Sequence, residues 1–392
     1  MKPLKDLTVV ELTTYWTAVT TGRYFRAMGA RVIKVETPPG GDFCRYFGKV
    51  YSMPIDKEEN PSYDMYNGGK EAIALNLKDP EHRKVMENML AKADVFLTST
   101  REKGLEKLGL DWKTLHAKYP KLVMGHVTGW GLKGPRKDDS GLDAVAFFGA
   151  NGLLTDCLMD EGASPLYSPT GMGDLTTGTM LAVGVLAALH NRDVTGEGDY
   201  VMCSLNGTGS WVSSAVASAT QYGYEWPRNA FNSGPVSQGY LCKDGKYFYS
   251  MINEFDRFWP AYSAAFNLPE ELRTDPRYCT RDGQLQPENR RYMVQVIREY
   301  AKKQTSEEIY KKMVAADVPC CILAKYEDRY SGEMLEQQVS NGYLSKHTYP
   351  SGKSVYLNQM PIYFESEGVK DLYERSHAVG EDNEALFKEF GD

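Results

Sequence analysis

LTVVELTTYWTAVTTGRYFRAMGARVIKVE, residues 7–36, is the stretch whose reading decides the fold. Leu7–Leu12 is a short run of apolar and β-branched residues, the pattern of a buried strand. Thr20–Met28 has a helical pattern that Gly29 ends. Arg31–Glu36 is a second strand, stopped by Pro38 and Pro39. Strand, helix and strand in succession form a βαβ unit, which implies a parallel sheet with right-handed crossovers. The first turn has no GxGxxG, so a dinucleotide phosphate cradle is not expected.

The alternation continues outward. Ala72–Leu77 reads as a strand, Glu81–Ala93 as an amphipathic helix, Val95–Leu97 as a strand, Trp112–Tyr119 as a helix and Leu122–Val127 as a strand. LTTGTMLAVGVLAALHNRD (175–193) is apolar on nearly every face, as in a helix buried all round or packed on a partner. TGEGDYVMCSLNGTGSW (195–211) follows with a glycine-rich turn and a strand. Near Tyr224 the texture changes to short aromatic strands around Asp244–Gly245 and then to charged helices. The expected fold is α/β: a Rossmann-like large domain with a parallel sheet, from residues 1–200 and 325–392, plus a smaller α+β domain, 226–320. Residues 201–225 and 321–324 are expected as linkers.

With 392 residues, 42% hydrophobic and 25% charged, the chain has the composition of a soluble globular protein. Its net charge of −7 argues against nucleic acid or an anionic membrane as a partner. The apolar run Met180–His190 is too short to span a bilayer. The seven cysteines have no CxxC spacing, so a metal site is not expected and reduced thiols are. The segment MKPLKDLTVVEL lacks the apolar core of a signal peptide, and the expected location is cytoplasmic.

SPTGMGDLTTGTM (168–180) places one acid, Asp174, between glycines and the long apolar run. Asp174 has two compatible readings. It is an N-cap that accepts hydrogen bonds from free backbone N–H groups. Or it is a carboxylate exposed for attack, with those N–H groups holding an oxyanion. A lone carboxylate suits attack on an activated acyl group to give a mixed anhydride.

Five blocks in order resemble the class III (CaiB/BaiF, formyl-CoA transferase-like) CoA-transferases. They are VVELTTYWTAVTTGRYFRAMGARVIKVETPPGGDFCR, YNGGKEAIALNLKDPEHRKVMENMLAKADVFLTS, GLEKLGLDWKTLHAKYPKLVMGHVTGWGLKGP, GMGDLTTGTMLAVGVLAAL and TGEGDYVMCSL. The resemblance implies an interlocked homodimer with no bound cofactor, in which a coenzyme A thioester is a substrate and a free carboxylic acid the acceptor. It places Asp174 as the nucleophile, and Leu75, Lys107, Leu108 and Trp130 where the family holds CoA. Arg45 and Lys70 match basic positions, and also read as solvated surface charges. Trp16 matches a position that reaches the acyl site. STREKG replaces the family's Asn-Phe-Arg-Pro-Gly, so Ser99 and Thr100 stand where Asn and Phe make CoA contacts. TAV (Thr17–Val19) replaces an Ala-Gly-Pro turn.

Two further readings stay open. The α-methylacyl-CoA racemase branch needs a histidine where SGLDAVAFFGANG (140–152) has Leu142, which cannot take a proton. A homologue that binds CoA without turnover is the other. NSGPVSQGYLCKDGKY (232–247) lacks the glycine run of formyl-CoA transferases. KEENPSYDMYNGGKEAIALNLK (57–78) resembles the subgroup acting on (R)-2-hydroxy acids, the 2-hydroxyisocaproate and phenyllactate CoA-transferases of amino-acid fermentation.

Overall fold

β1 (Thr8–Leu12) and β2 (Arg31–Glu36) pair in parallel, with Val10 opposite Ile33, and α1 (Thr17–Ala27) connects them. The computed structural model describes residues 2–157, 164–226, 229–231, 233–365 and 373–391. The chain then adds α2 (Pro61–Asn67), β3 (Glu71–Ala74), α3 (Pro80–Lys92), β4 (Val95–Thr98), α4 (Glu102–Leu108) and α5 (Trp112–Lys118). β5 (Val123–Thr128), α6 (Met172–Thr195), β6 (Tyr200–Ser204) and α7 (Leu205–Val212) follow. The six strands make one parallel sheet in the order β3-β2-β1-β4-β5-β6. The order reverses between β1 and β4, where an open parallel sheet leaves a crevice at the carboxyl ends of its strands.

Helices cover both faces of this sheet, so its strands are apolar on both sides. Val10, Ile33, Ile73, Phe96 and Met124 pack with Met86 and Met89 of α3 and with Leu386 of the helix Asn383–Phe390. On the other face Val9, Val32, Val95 and Leu97 pack with Phe25 of α1 and Leu181 and Val185 of α6. α1 begins three residues before the expected Thr20. Isolated threonines disfavour a helix, but here Thr17, Thr20 and Thr21 are buried and bonded. Thr20 donates to the Trp16 carbonyl (2.7 Å) and Thr21 to the Gly178 carbonyl (2.8 Å).

Two compact units emerge: Met1–Asn151 with Ser168–Ser214 and Glu333–Asp392, and Gly152–Tyr167 with Ala215–Gly332. The segments expected as linkers carry regular structure. Within 201–225 lie most of β6, which pairs with β5, and α7. Cys321 and Ile322 belong to the strand Cys320–Ile322. That strand completes a three-stranded antiparallel sheet with Gly239–Leu241 and Tyr247–Ser250. The second unit packs Tyr240, Phe248, Trp259, Tyr262 and Phe266 against Met293, Ile297 and Met313.

Beneath the carboxyl ends of β1 and β2 lies a buried charge cluster. The Lys34 ammonium is 3.1 Å from Glu11 and 3.2 Å from Asp42. Lys70 donates to the other Glu11 oxygen at 2.8 Å, to the Val19 carbonyl at 3.1 Å and to Asn67 at 3.3 Å. Arg45 pairs with Glu36 (2.8 Å) and donates to the His377 carbonyl (2.9 Å). Burial alone would push Glu11 up, but Lys70 and Lys34 outweigh it and hold the carboxyl below its usual range. Removing one partner of such a group leaves an uncompensated charge in the interior. Lys70→Met should therefore cost about 3 kcal/mol of stability, read as a lower urea midpoint. An unchanged midpoint would show that Lys70 does not hold this cluster.

Candidate active site

Asp174 is the third residue of α6, not its N-cap: the N-cap is Gly171, at φ 78° with no side chain to cap with. The cap comes from elsewhere in the chain. Asp143, in the π-helical turn Asp143–Phe148, accepts from the Gly171 N–H at 2.9 Å. The Gly173 N–H faces the same carboxylate. Gly173 allows that approach, since a Cβ there would lie 2.2 Å from Asp143 Oδ1 and 2.5 Å from the Phe147 ring. Of the N–H groups at the start of α6, that of Gly171 is bonded to Asp143 and that of Met172 to the Pro169 carbonyl. Burial pushes Asp143 up to about 6, against the pull of those two N–H groups.

Asp174 is itself only 9% exposed. Its Oδ1 accepts a hydrogen bond from Thr17 Oγ1, at the first turn of α1. Burial pushes the carboxyl up to about 7; the Thr17 hydrogen bond opposes this and the Asp143 charge adds to it. A carboxylate short of solvation is a better nucleophile than one in water. Among the described residues no hydrogen bond to Oδ2 is found.

Aromatic side chains gather beside the start of α6. The Trp16 ring lies 2.8 Å from where a Gly171 Cβ would stand. Trp16 meets Phe47 edge-on at 4.7 Å and Tyr66 at 5.8 Å between ring centroids. Phe47 comes from the 3-10 helix Phe43–Tyr51, and continues to Tyr51 at 5.5 Å. Burial, with the Asp174 charge, pushes Tyr66 up to about 12. Burial likewise pushes the Cys44 thiol up, so this neighbour of Asp174 is a poor nucleophile.

A crevice of about 150 Å³ opens at the β1/β4 reversal, lined by Leu12–Thr14, Val35–Thr37, Gly41, Asp42, Ser99 and Thr100. Ser99 Oγ accepts from the Thr14 N–H at 3.0 Å. His126, on β5, fixes the Thr100 carbonyl through Nε2 at 2.8 Å and meets the Tyr200 hydroxyl through Nδ1 at 2.6 Å. Burial lowers His126 to about 4, so it is neutral and structural. Thr14 in the crevice and Thr17 at Asp174 are only three positions apart, a span of at most about 10 Å.

The other expected site residues divide. Lys107 is exposed on α4, and Leu108 is half-buried against the sheet core. Trp130 is half-buried, donates to the Ser140 carbonyl at 3.1 Å, and carries the Arg136 guanidinium 3.4 Å above its ring. Leu75 is buried in the core. Lys70 and Arg45 are not solvated surface charges; both serve the buried cluster, and Lys70 is 2% exposed. Leu142 is exposed beside Asp143. The sequence reading missed Thr17 as a functional contact. The available signal was its place in the TAV segment, where the resembled family has alanine. It also missed Asp143, which stands next to the Leu142 it weighed.

A family model described as CoA-transferase family III matches residues 4–383. The cinnamoyl-CoA:phenyllactate CoA-transferase of Clostridium sporogenes is 35% identical, over 98% of this chain and 92% of that one. The (R)-2-hydroxy-4-methylpentanoate CoA-transferase of Clostridioides difficile is 32% identical, over 99% and 95%. The crystal structure of a CaiB/BaiF family protein from Brucella suis superposes with a TM-score of 0.82 at 26% identity, covering 99% of each chain.

The Asp143 charge disfavours ionisation of Asp174, so its removal favours the carboxylate. Asp143→Asn keeps an oxygen for the Gly171 N–H and should lower the Asp174 midpoint by up to about one pH unit. ¹³C NMR of aspartate-labelled protein reads this directly. A midpoint that stays near 7 in the variant would contradict the coupling.

Proposed function

This chain belongs to CoA-transferase family III, and we propose that it moves CoA from an acyl- or enoyl-CoA to a free (R)-2-hydroxy acid. The favoured acids are of the 2-hydroxyisocaproate or phenyllactate type. The observation that carries this reading is the buried Asp174 carboxylate near the aromatic cluster of Trp16, Phe47 and Tyr66. A branched or aromatic acyl group suits such an apolar cluster, and the two hydroxy-acid CoA-transferases reported above support the acceptor class.

The reaction has four steps. Asp174 Oδ2 attacks the donor acyl carbon; the C–S bond breaks, CoA leaves as thiolate, and a mixed anhydride forms. The thiolate attacks the aspartyl carbon, which expels the donor carboxylate and leaves an aspartyl-CoA thioester. The acceptor carboxylate attacks that carbon, giving a second anhydride and thiolate again. The thiolate takes the new acyl group, and Asp174 returns as carboxylate. No proton is gained or lost, so the site needs no general base, in keeping with Leu142 at the racemase position. Both intermediates hydrolyse in water, and the buried, aromatic setting guards against that.

In this reading the nucleotide part of CoA occupies the crevice of Ser99 and Thr100, flanked by Lys107, Leu108 and Trp130. The thioester then reaches Asp174 along Thr14–Thr17, past Trp16. The functional form is an interlocked homodimer. Its support is the apolar side chains exposed on α6 and α7, among them Val183, Trp211 and Val212. The working compartment is a reducing cytoplasm, a reading supported by cysteines that are all free thiols.

The test mixes purified protein, isocaproyl-CoA and (R)-2-hydroxyisocaproate in D₂O, with phenyllactate in a parallel tube, and reads the CoA species by mass. A new 2-hydroxyacyl-CoA without deuterium is expected, and Asp174→Asn should lower turnover by at least about 1,000-fold. Deuterium entering the donor without acyl exchange, or an active Asp174→Asn protein, would overturn the proposal.

A further inference from the structure

The wait for a donor at Asp174 has a specific answer in α1. The Gly171 N–H is taken by Asp143, and the Gly173 N–H faces the same carboxylate. Among the described residues the donor that does reach Asp174 is the Thr17 hydroxyl, and it reaches Oδ1. Once the carboxylate is acylated through Oδ2, Oδ1 becomes the carbonyl oxygen of the aspartyl anhydride and then of the aspartyl thioester. Attack on that carbon by thiolate or by the acceptor carboxylate turns Oδ1 into an oxyanion.

We propose that Thr17 is a catalytic residue, whose hydroxyl donates to the Oδ1 oxyanion each time the aspartyl carbon is attacked. The inference rests on the Asp174 pathway proposed above. It divides the labour between the two carboxylate oxygens: Oδ2 forms and breaks bonds, and Oδ1 stays on its donor. The position is preorganised. Thr17 is 6% exposed, and its own carbonyl packs against Gly178, so neither partner must reorganise when charge develops. The hydroxyl also stabilises the resting carboxylate, which is why it opposes the effect of burial there.

Loss of one preorganised oxyanion donor typically costs about 100-fold or more in kcat. Thr17→Val removes the donor and keeps the shape; Thr17→Ser keeps the donor. Three readings on the full-length protein test the proposal. The Val variant should lose about 100-fold in kcat with KM little changed, and the Ser variant should recover most of it. The acid limb of the Val variant should move to higher pH, because Asp174 has lost the hydrogen bond that favours its ionised form. With acyl-CoA donor and no acceptor, intact mass should show a CoA adduct forming on wild type, and more slowly on the Val variant. Thr17→Ala replaces it if the Val variant does not fold. Adduct formation at the wild-type rate in the Val variant, or a Ser variant as slow as Val, would overturn the role of Thr17 while leaving the Asp174 pathway standing. Absence of the adduct in wild type would overturn both.

Discussion

Gly178 sits where α6 meets α1, and a side chain cannot fit there: a Cβ would come within 2.2 Å of the Thr17 carbonyl oxygen and 2.8 Å of the Thr20 side chain. Gly178 and Asp174 are four residues apart, hence on the same face of α6. The close approach that Gly178 permits therefore brings Asp174 onto Thr17, and Thr21 onto the Gly178 carbonyl. The same face continues into Leu181 and Val185, which seat α6 on the sheet. The helix that carries the carboxylate is thus located by the sheet core at one end and by a backbone-to-backbone contact at the other.

Around that contact, charge is arranged by environment. Asp143 takes the Gly171 N–H at the start of α6, a contact that Gly171 has no side chain to make for itself. Among the described residues Asp174 is left with one hydroxyl donor, and it is buried near the Trp16 and Tyr66 rings. Burial makes its ionised form costly, which raises its pKa and sharpens it as a nucleophile. The six charged groups beneath the crevice do the opposite work. Glu11, Glu36 and Asp42 balance Lys34, Arg45 and Lys70, so the strand ends that frame the crevice are tied together, and the two acids that line it, Glu36 and Asp42, are paired with Arg45 and Lys34.

The sheet was legible in the sequence because both of its faces are covered. Strands buried on two sides are largely apolar, as Val32, Ile33 and Val35 make β2, and Arg31–Glu36 has the bounds expected of it. The start of α1 was not legible, because β-branched threonines weigh against a helix until the partner that buries them is known. Asp174 stood out through its glycine neighbours and the long apolar run after it. What sequence could not convey was its partner, since Thr17 lies 157 residues away. Arg45 and Lys70 were read as possible surface charges for a related reason. A lone basic residue gives no sign of burial, and only the fold brings Glu36 and Glu11 beneath them.

The four-step pathway makes an atom-level demand that a direct transfer between two bound substrates does not. When the donor carboxylate leaves, it carries away the Asp174 oxygen that attacked, and the acceptor carboxylate later supplies the replacement. The most direct measurement is therefore the mass of the Asp174 peptide after turnover with an acceptor acid labelled with ¹⁸O in its carboxylate. The account predicts ¹⁸O in that peptide, and then in the donor acid released on the next turnover. Full transfer activity with an unlabelled Asp174 peptide would contradict it.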